Sequence, residues 1–219
     1  MDSKGNKPLA FLWILVLMLF AVSTSVAVPV LWRGFYDLHI DALRLPDITG
    51  WNKEIIREAF DEMMDYCIKS APFGTGALSW SEEGMRHFED VRKLFRLDLA
   101  VLVVSAVALV LLAAVYRYIR PYRFHNRGPS FHAGCGILLV FGVLTALAAL
   151  DFDRAFVVFH RLFFPGKTNW IFDPASDQII LILPQVYFRN CAILAVSLLA
   201  VFCVVYIYRG KKRPLQASG

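Results

Sequence analysis

AFVVFHRLFFPGKTNWIFDP, residues 155–174, is the stretch on which the fold turns. Its first ten residues are almost wholly apolar, but a membrane helix needs about 20 such residues, and Pro165-Gly166 ends the run. The segment therefore does not cross a bilayer, and its length is that of an interfacial or re-entrant helix. At its centre sits His160. An ionisable ring at membrane depth is costly and is by default a functional candidate, with a satisfied, buried histidine as the plain alternative. Asn169-Trp170 and Phe172 follow, a cluster suited to a headgroup layer.

The rest of the chain supplies the spans that this stretch does not. Of 219 residues, 58% are hydrophobic and 19% charged, and the mean hydropathy is +0.53, so the class is a polytopic membrane protein. Four runs are long enough to cross: 8–32, 97–116, 131–150 and 190–208. The expected architecture is an all-α integral membrane protein, a single domain over 1–219 with four transmembrane helices. Lys4 and Lys7 precede the first run. Arg117, Arg120, Arg123 and Arg127 fill the link between the second and third, and Arg209, Lys211, Lys212 and Arg213 follow the fourth. Short basic segments stay cytoplasmic, so both termini are expected inside, and the loops 33–96 and 151–189 outside. A secretory signal ending near Ser25-Val26-Ala27 is the rival reading of the first run. The apolar residues resume at Val28 and continue to Trp32, longer than a signal core.

The two outer loops are patterned rather than disordered. NKEIIREAFDEMMDYCIK, residues 52–69, places Ile55, Ile56, Ala59, Phe60, Met63, Cys67 and Ile68 near helical spacing, with Pro72, Gly74 and Gly76 ending the helix. A second helix is expected from a Ser79/Glu82 capping box and should run through Arg96 into the second span. On it, His87 shares a face with Glu83, Asp90 and Val91. A carboxylate so placed can fix an imidazole's tautomer and raise its basicity. In the other loop Asp151, Asp153 and Arg154 close the third span. Asp173-Pro174 reads as the cap and first position of another short helix, carrying ASDQIILILP. The two loops, helical and packed at the outer membrane surface, contribute one conspicuous histidine each.

The remaining titratable residues are less promising. His125 and His132 flank the basic link and suit headgroup contacts, and His39 in YDLHIDALRLPD reads as an ordinary loop residue. The sequence has four cysteines: Cys135 and Cys203 fall within spans, and Cys67 and Cys191 leave a bridge open as a possibility. There is no CxxC, HExxH or Gly-rich phosphate loop, and no histidine lies three or four residues from another. No metal, cofactor or nucleic acid is expected.

SWSEEGMRHFEDVRKLF, together with FHRLFFPGKTNWIFDPASDQIILILPQVYF, resembles the bacterial lipoprotein intramolecular transacylase (Lit) family, small four-helix membrane proteins of Gram-positive bacteria. The matching positions are His87, Asp90 and Val91 in the first loop. In the second they are Phe159, His160, Phe163, Phe164, Trp170, Phe172, Asp173, Pro174, Asp177, Leu183, Pro184, Tyr187 and Phe188. The chain departs from the pattern at Arg161 and Gln185, and also at Gly84, where acidic residues are expected.

The resemblance implies a multi-pass protein of the bacterial cell membrane with its active site on the extracytoplasmic side. Its substrates would be diacylglyceryl-modified lipoproteins, held in contact with membrane lipid. The sn-2 acyl chain of the S-diacylglyceryl-cysteine would move to that cysteine's own α-amino group, giving a lyso-form lipoprotein. His87 and His160 would be catalytic. Asp90, Asp173, Asp177 and Trp170 would orient or support them, and Phe159, Phe163, Phe164 and Phe172 would contact substrate or lipid. Two other classes compete with this reading. One is a membrane adaptor that binds a partner through its outer loops; the other is a thiol-dependent acyltransferase using Cys67.

Overall fold

The computed structural model describes residues 5–211 and is all-helical among them; Lys4, Lys212 and Arg213 of the basic clusters lie outside the described residues. In chain order the helices are α1 (Lys7–Leu31), α2 (Arg33–Ala42), α3 (Leu45–Thr49), α4 (Lys53–Ile68), α5 (Glu82–Val115), α6 (Pro129–Leu150), α7 (Phe152–Phe163) and α8 (Gln185–Gly210). A short 3-10 helix, Gln178–Ile182, precedes α8. Helices α1, α5, α6 and α8 are long and apolar enough to cross a membrane, and they contain the four runs expected except for Trp32 and Tyr116, the last residues of the first two. At 34 residues, α5 is about 51 Å long, far more than a span needs. Its first half, from Glu82 to Asp98, carries the helix's charged residues, and the half from Leu99 is apolar.

Packing divides the chain into two compact units. The first consists of Met1–Val26, Ala100–Ala146 and Ala195–Gly219. Its core is narrow: Ala21, Ala133, Ile137, Leu199, Cys203 and Tyr206. Small residues let the helices approach, and a Cβ added at Gly134 would meet the Cys203 carbonyl oxygen at 3.0 Å. Most large apolar side chains here, such as Val104, Val110, Leu111 and Leu139, are exposed, as lipid-facing surfaces are. The basic link is pinned. Tyr122 N–H donates to the Asn6 carbonyl and Asn6 N–H to that of Arg120, at 3.1 and 3.0 Å. His125 and Asn126, both at positive φ, form a tight turn closed by Arg127 N–H on Phe124 O. A ring nitrogen of His132 lies 3.3 Å from the Phe124 carbonyl oxygen, so this ring has a protein partner besides any headgroup.

The second unit consists of Ala27–Leu99 and Leu147–Leu194. Helix α4 forms where the periodicity places it. Asn52 caps it, its side chain accepting Ile55 N–H at 2.9 Å, and it buries Ile56, Ala59, Phe60, Met63 and Cys67, with Met64 and Tyr66 added. Burying each such large side chain contributes roughly 1.5–3 kcal/mol. The buried face meets α2 and the 3-10 helix. Tyr36 stacks on Phe60 with centroids 3.6 Å apart, and Tyr187 stands edge-on to both rings. The rim of the α2–α4 contact is a charge ladder. Arg33 pairs with Asp61 and Asp65, Asp37 with Arg57, and Asp41 with Lys53. The α2 members recur every four residues and their α4 partners run the opposite way, which fixes the two helices antiparallel.

Three local expectations need correction. The cap of α5 is Ser81, not Ser79: Ser81 Oγ accepts Gly84 N–H at 3.0 Å, and Ser79 is occupied elsewhere. No helix starts at Pro174; Asp173 Oδ1 accepts Ala175 N–H in a tight turn, and the 3-10 helix begins only at Gln178. His39 is no ordinary loop residue. It lies on α2, is buried, donates its Nδ1–H to Phe35 O at 2.7 Å, and accepts from Asn190 Nδ2 at Nε2, 2.9 Å away.

The Tyr36 hydroxyl donates to the buried Ile182 carbonyl at 2.9 Å, joining α2 to the 3-10 helix. Tyr36→Phe leaves that acceptor unsatisfied, a loss of about 1–3 kcal/mol. Thermal unfolding of the purified protein in detergent should register it as a drop in Tm of several degrees.

Candidate functional site

His87 comes from the second turn of α5 and His160 from the last turn of α7. Each helix is started by a side-chain cap: Ser81 for α5, and Asp151 for α7, whose carboxylate accepts Arg154 N–H at 2.9 Å. The two imidazoles, far apart in sequence, lie with centroids 5.9 Å apart and planes 32° from parallel. Both are nearly out of solvent, at 5% and 8% exposure.

Aromatic rings surround the pair. Phe164 and Phe172 stand edge-on to His87 at 5.0 and 5.4 Å. Trp170 lies almost flat on His160 at 4.7 Å, and the Phe156 ring is 4.2 Å from it. Phe159 and Phe163 pack on each other at 4.6 Å on the exposed side of α7. In this setting the charged form of either histidine is disfavoured. Burial, reinforced by the neighbouring His160, pushes the His87 ring down to about 4 from its ordinary value near 6.5; Asp90 pulls the other way. Burial also lowers His160, against the Phe156 carbonyl.

Hydrogen bonding distinguishes the two rings. His160 Nδ1 lies 2.8 Å from the Phe156 carbonyl oxygen, which can only accept, so Nδ1 carries the proton and Nε2 the lone pair. His87 Nδ1 is buried with no hydrogen-bond partner. Asp90 lies on the His87 face of α5, but its oxygens receive lysines: Oδ2 takes Lys167 Nζ at 2.5 Å and Oδ1 takes Lys93 Nζ at 3.4 Å.

What holds the loop after α7 against α5 is Asp177. One carboxylate oxygen accepts Ser81 N–H and the other Ser81 Oγ–H, both at 2.8 Å. Beside it, Ser79 N–H donates to the Gln178 side chain at 2.9 Å, and Gln178 N–H to Ser79 O at 3.0 Å. Asp177 thereby does what the glutamate of a capping box does, from nearly a hundred residues away. Gly84 makes room for it, since a Cβ there would collide with the Asp177 carboxylate. Asp173 stays exposed in its own turn. Ser81, Gly84, Lys167 and Phe156 were not singled out as site residues in the sequence. Cys67, the thiol candidate, is fully buried, and burial pushes it up to about 12, which leaves it a packing residue rather than a nucleophile. All four cysteines are free thiols.

Four helices long and apolar enough to cross define a multi-pass membrane protein, in whose second unit two buried imidazoles are brought together. The chain belongs to the family of the lipoprotein intramolecular transacylase Lit, whose profile matches residues 11–188. Membership places it among the acyltransferases. Its fold is similar to that of the membrane-integral Lit from Bacillus cereus, with a TM-score of 0.82 at 21% identity, covering 92% of this chain and 93% of that one. Two further structures of the Bacillus cereus protein, each with one histidine replaced, by arginine or by alanine, match with TM-scores of 0.76 at 20% identity. They cover 92% of this chain and 88% and 90% of theirs. No curated protein matches the chain by sequence.

Because His87 titrates lower in the folded than in the unfolded chain, it adds stability that is complete above about pH 6.5 and is lost as pH falls towards 4. The Tm should therefore fall between pH 6.5 and 5, and His87→Gln should flatten that slope. A second outcome concerns the clamp: Asp177→Ala removes a cap and should cost about 0.5–2 kcal/mol in denaturant or thermal unfolding.

Proposed function

We propose that this protein moves the sn-2 acyl chain of an S-diacylglyceryl-cysteine to the free α-amino group of the same cysteine, converting a diacylglyceryl lipoprotein into the N-acyl, lyso form. The observation that carries the proposal is the buried pair of uncharged imidazoles 5.9 Å apart. The reaction must take a proton from a nitrogen and return one to an oxygen. The attacking amine, with an ordinary pKa near 7.7–8.0, must be neutral. As its nitrogen bonds to the ester carbonyl carbon, His160 Nε2, the ring nitrogen with the free lone pair, accepts the amine proton. The acyl C–O bond then breaks, and the His160 imidazolium passes that proton through His87 to the departing glyceryl oxygen, so that both rings end neutral. Proton transfer by positioned side chains of this kind is worth roughly 10²–10⁴-fold.

Nucleophile and ester belong to one molecule, so holding them in reacting geometry can supply about 7–11 kcal/mol more. The rings of Phe164, Trp170 and Phe172 are suited to confine the head of the substrate, while exposed Phe159 and Phe163 face its acyl chains or the surrounding lipid. No nucleophilic side chain of the enzyme is needed, and transfer is direct. Both termini and the Arg117–Arg127 link are cytoplasmic in this reading, and the histidine unit faces outward, where processed lipoproteins are anchored.

The decisive measurement is mass spectrometry of lipoprotein N-termini from cells with and without the protein. His87→Ala and His160→Ala should each abolish the lyso form while the protein still accumulates in the membrane; full activity in either removes the mechanism. His39→Ala should lower the amount of folded protein but leave the chemistry of the surviving fraction intact. In a crossover experiment with two lipopeptides, one bearing isotope-labelled acyl chains, each product should keep its own chains. Exchange of label would overturn direct transfer.

A further inference from the structure

Lys167 belongs to no motif in the sequence, yet it touches the supports of both histidines. Gly166, at φ +73°, turns the chain after Phe164, and Lys167 N–H closes the turn on the Phe164 carbonyl at 3.2 Å. From there the ammonium reaches Asp90 at 2.5 Å. Asp90 is 9% exposed and lies three residues from His87 on α5, on the same face. In the other direction the Lys167 carbonyl accepts the indole N–H of Trp170 at 3.1 Å, and that indole lies on His160.

We infer that Lys167 is a positioning residue for the histidine pair: its ammonium neutralises the buried carboxylate beside His87 while its carbonyl holds the Trp170 indole flat on His160. The inference deepens the transacylase reading and rests on it for its catalytic meaning, but its physical content is separate. A buried carboxylate left without its cation is strongly destabilising, and here the groups left to compensate are Lys93, 3.4 Å from the other oxygen, and the His87 imidazole with its unpartnered nitrogen. Without Lys167, Asp90 would favour a proton on His87 and raise the pH at which the neutral ring becomes an imidazolium.

The groups facing His87 can be named element by element. On α5 they are Asp90 and Glu83, the latter exposed and 3.4 Å from Arg86, with Lys93 reaching only the outer oxygen of Asp90. From α7 comes His160, and from the following loop come Lys167 and the uncharged rings of Phe164 and Phe172. Asp90 alone of the groups acting on the ring favours the charged form, while burial, His160 and Lys167 oppose it. Removing one charge or the other therefore moves His87 in opposite directions, which loss of packing would not do.

The test is an NMR pH titration of full-length, histidine-labelled protein in detergent micelles, with the His87 signal identified by its absence in His87→Gln. Lys167→Met should raise the His87 midpoint by roughly one unit. Asp90→Asn should not raise it, and the double variant should return it to the wild-type value. Lys167→Arg, which keeps the charge, should leave it in place. An unmoved midpoint in Lys167→Met overturns the inference. Should Lys167→Met fail to fold, Asp90→Asn added to it should restore a folded protein, because no charge is then left buried alone. A double variant as unstable as the single one overturns the inference as well. None of these readouts uses activity, so an absence of lyso-lipoprotein formation would sink the proposed function without moving the titration.

Discussion

The histidine site depends on one carboxylate, that of Asp177. It sits at the N-terminus of α5, where backbone N–H groups have no partners within the helix and the helix dipole favours negative charge, an arrangement worth about 0.3–1 kcal/mol and up to ~2 when partly buried. Its two bonds to Ser81 and the reciprocal pair between Ser79 and Gln178 join the loop after α7 to the start of α5. Without that junction the segment after α7 would be left to the Lys167–Asp90 pair and the ring contacts to hold it against α5. The junction also explains Gly84. A carboxylate on a side chain at that position would compete for the N–H that Asp177 takes, and its Cβ alone would push Asp177 away.

A second constraint acts through polarity. The aromatic cage excludes water from two ionisable rings, so each ring is stable there only while uncharged. That state leaves a ring lone pair available near neutral pH, and it makes nearby formal charge expensive. The fold answers by pairing charge wherever it comes close. Asp90 is covered by Lys167, and across the α2–α4 contact Arg33 meets Asp61 and Asp65 while Arg57 and Lys53 meet Asp37 and Asp41. The exposed pairs contribute modestly to stability, but they fix the register of α2 on α4. The Tyr36–Phe60 stack beneath them then does the cohesive work.

How much of this was legible follows from the range of each interaction. Spans announce themselves because about 20 apolar residues have no other use, and α4 announces itself through a 3.6-residue period and Asn52 as cap. Helix α7 and its histidine were readable from a run too short to span. By contrast, α2 buries only Tyr36, His39 and Ile40 over ten residues, too weak a stripe to separate from a loop. Ser79 beat Ser81 as the apparent cap because Glu82 completes a local box, whereas the true partner, Asp177, lies in another segment. Lys167 carries no local signal, because its partner is 77 residues away. The turn at Asp173-Pro174 misled for a related reason: the cap and proline signals are local, and the hydrogen bonds of Gln178 to Ser79 draw the chain into a tighter 3-10 form instead.

The amphipathicity of α7 is inverted relative to that of a helix in a water-soluble protein. Leu162 is 71% exposed and Phe159 49%, while the imidazole between them is 8% exposed. Water on that apolar face would oppose such an arrangement, since each large side chain turned outward forgoes roughly 1.5–3 kcal/mol of burial. Lipid removes the objection, because it solvates Phe and Leu as well as a protein interior does. The same replacement leaves the polar ring nowhere favourable to go but inward, against the Phe156 carbonyl, Trp170 and His87. The short apolar run thus turns its hydrocarbon outward and its one ionisable ring into the protein.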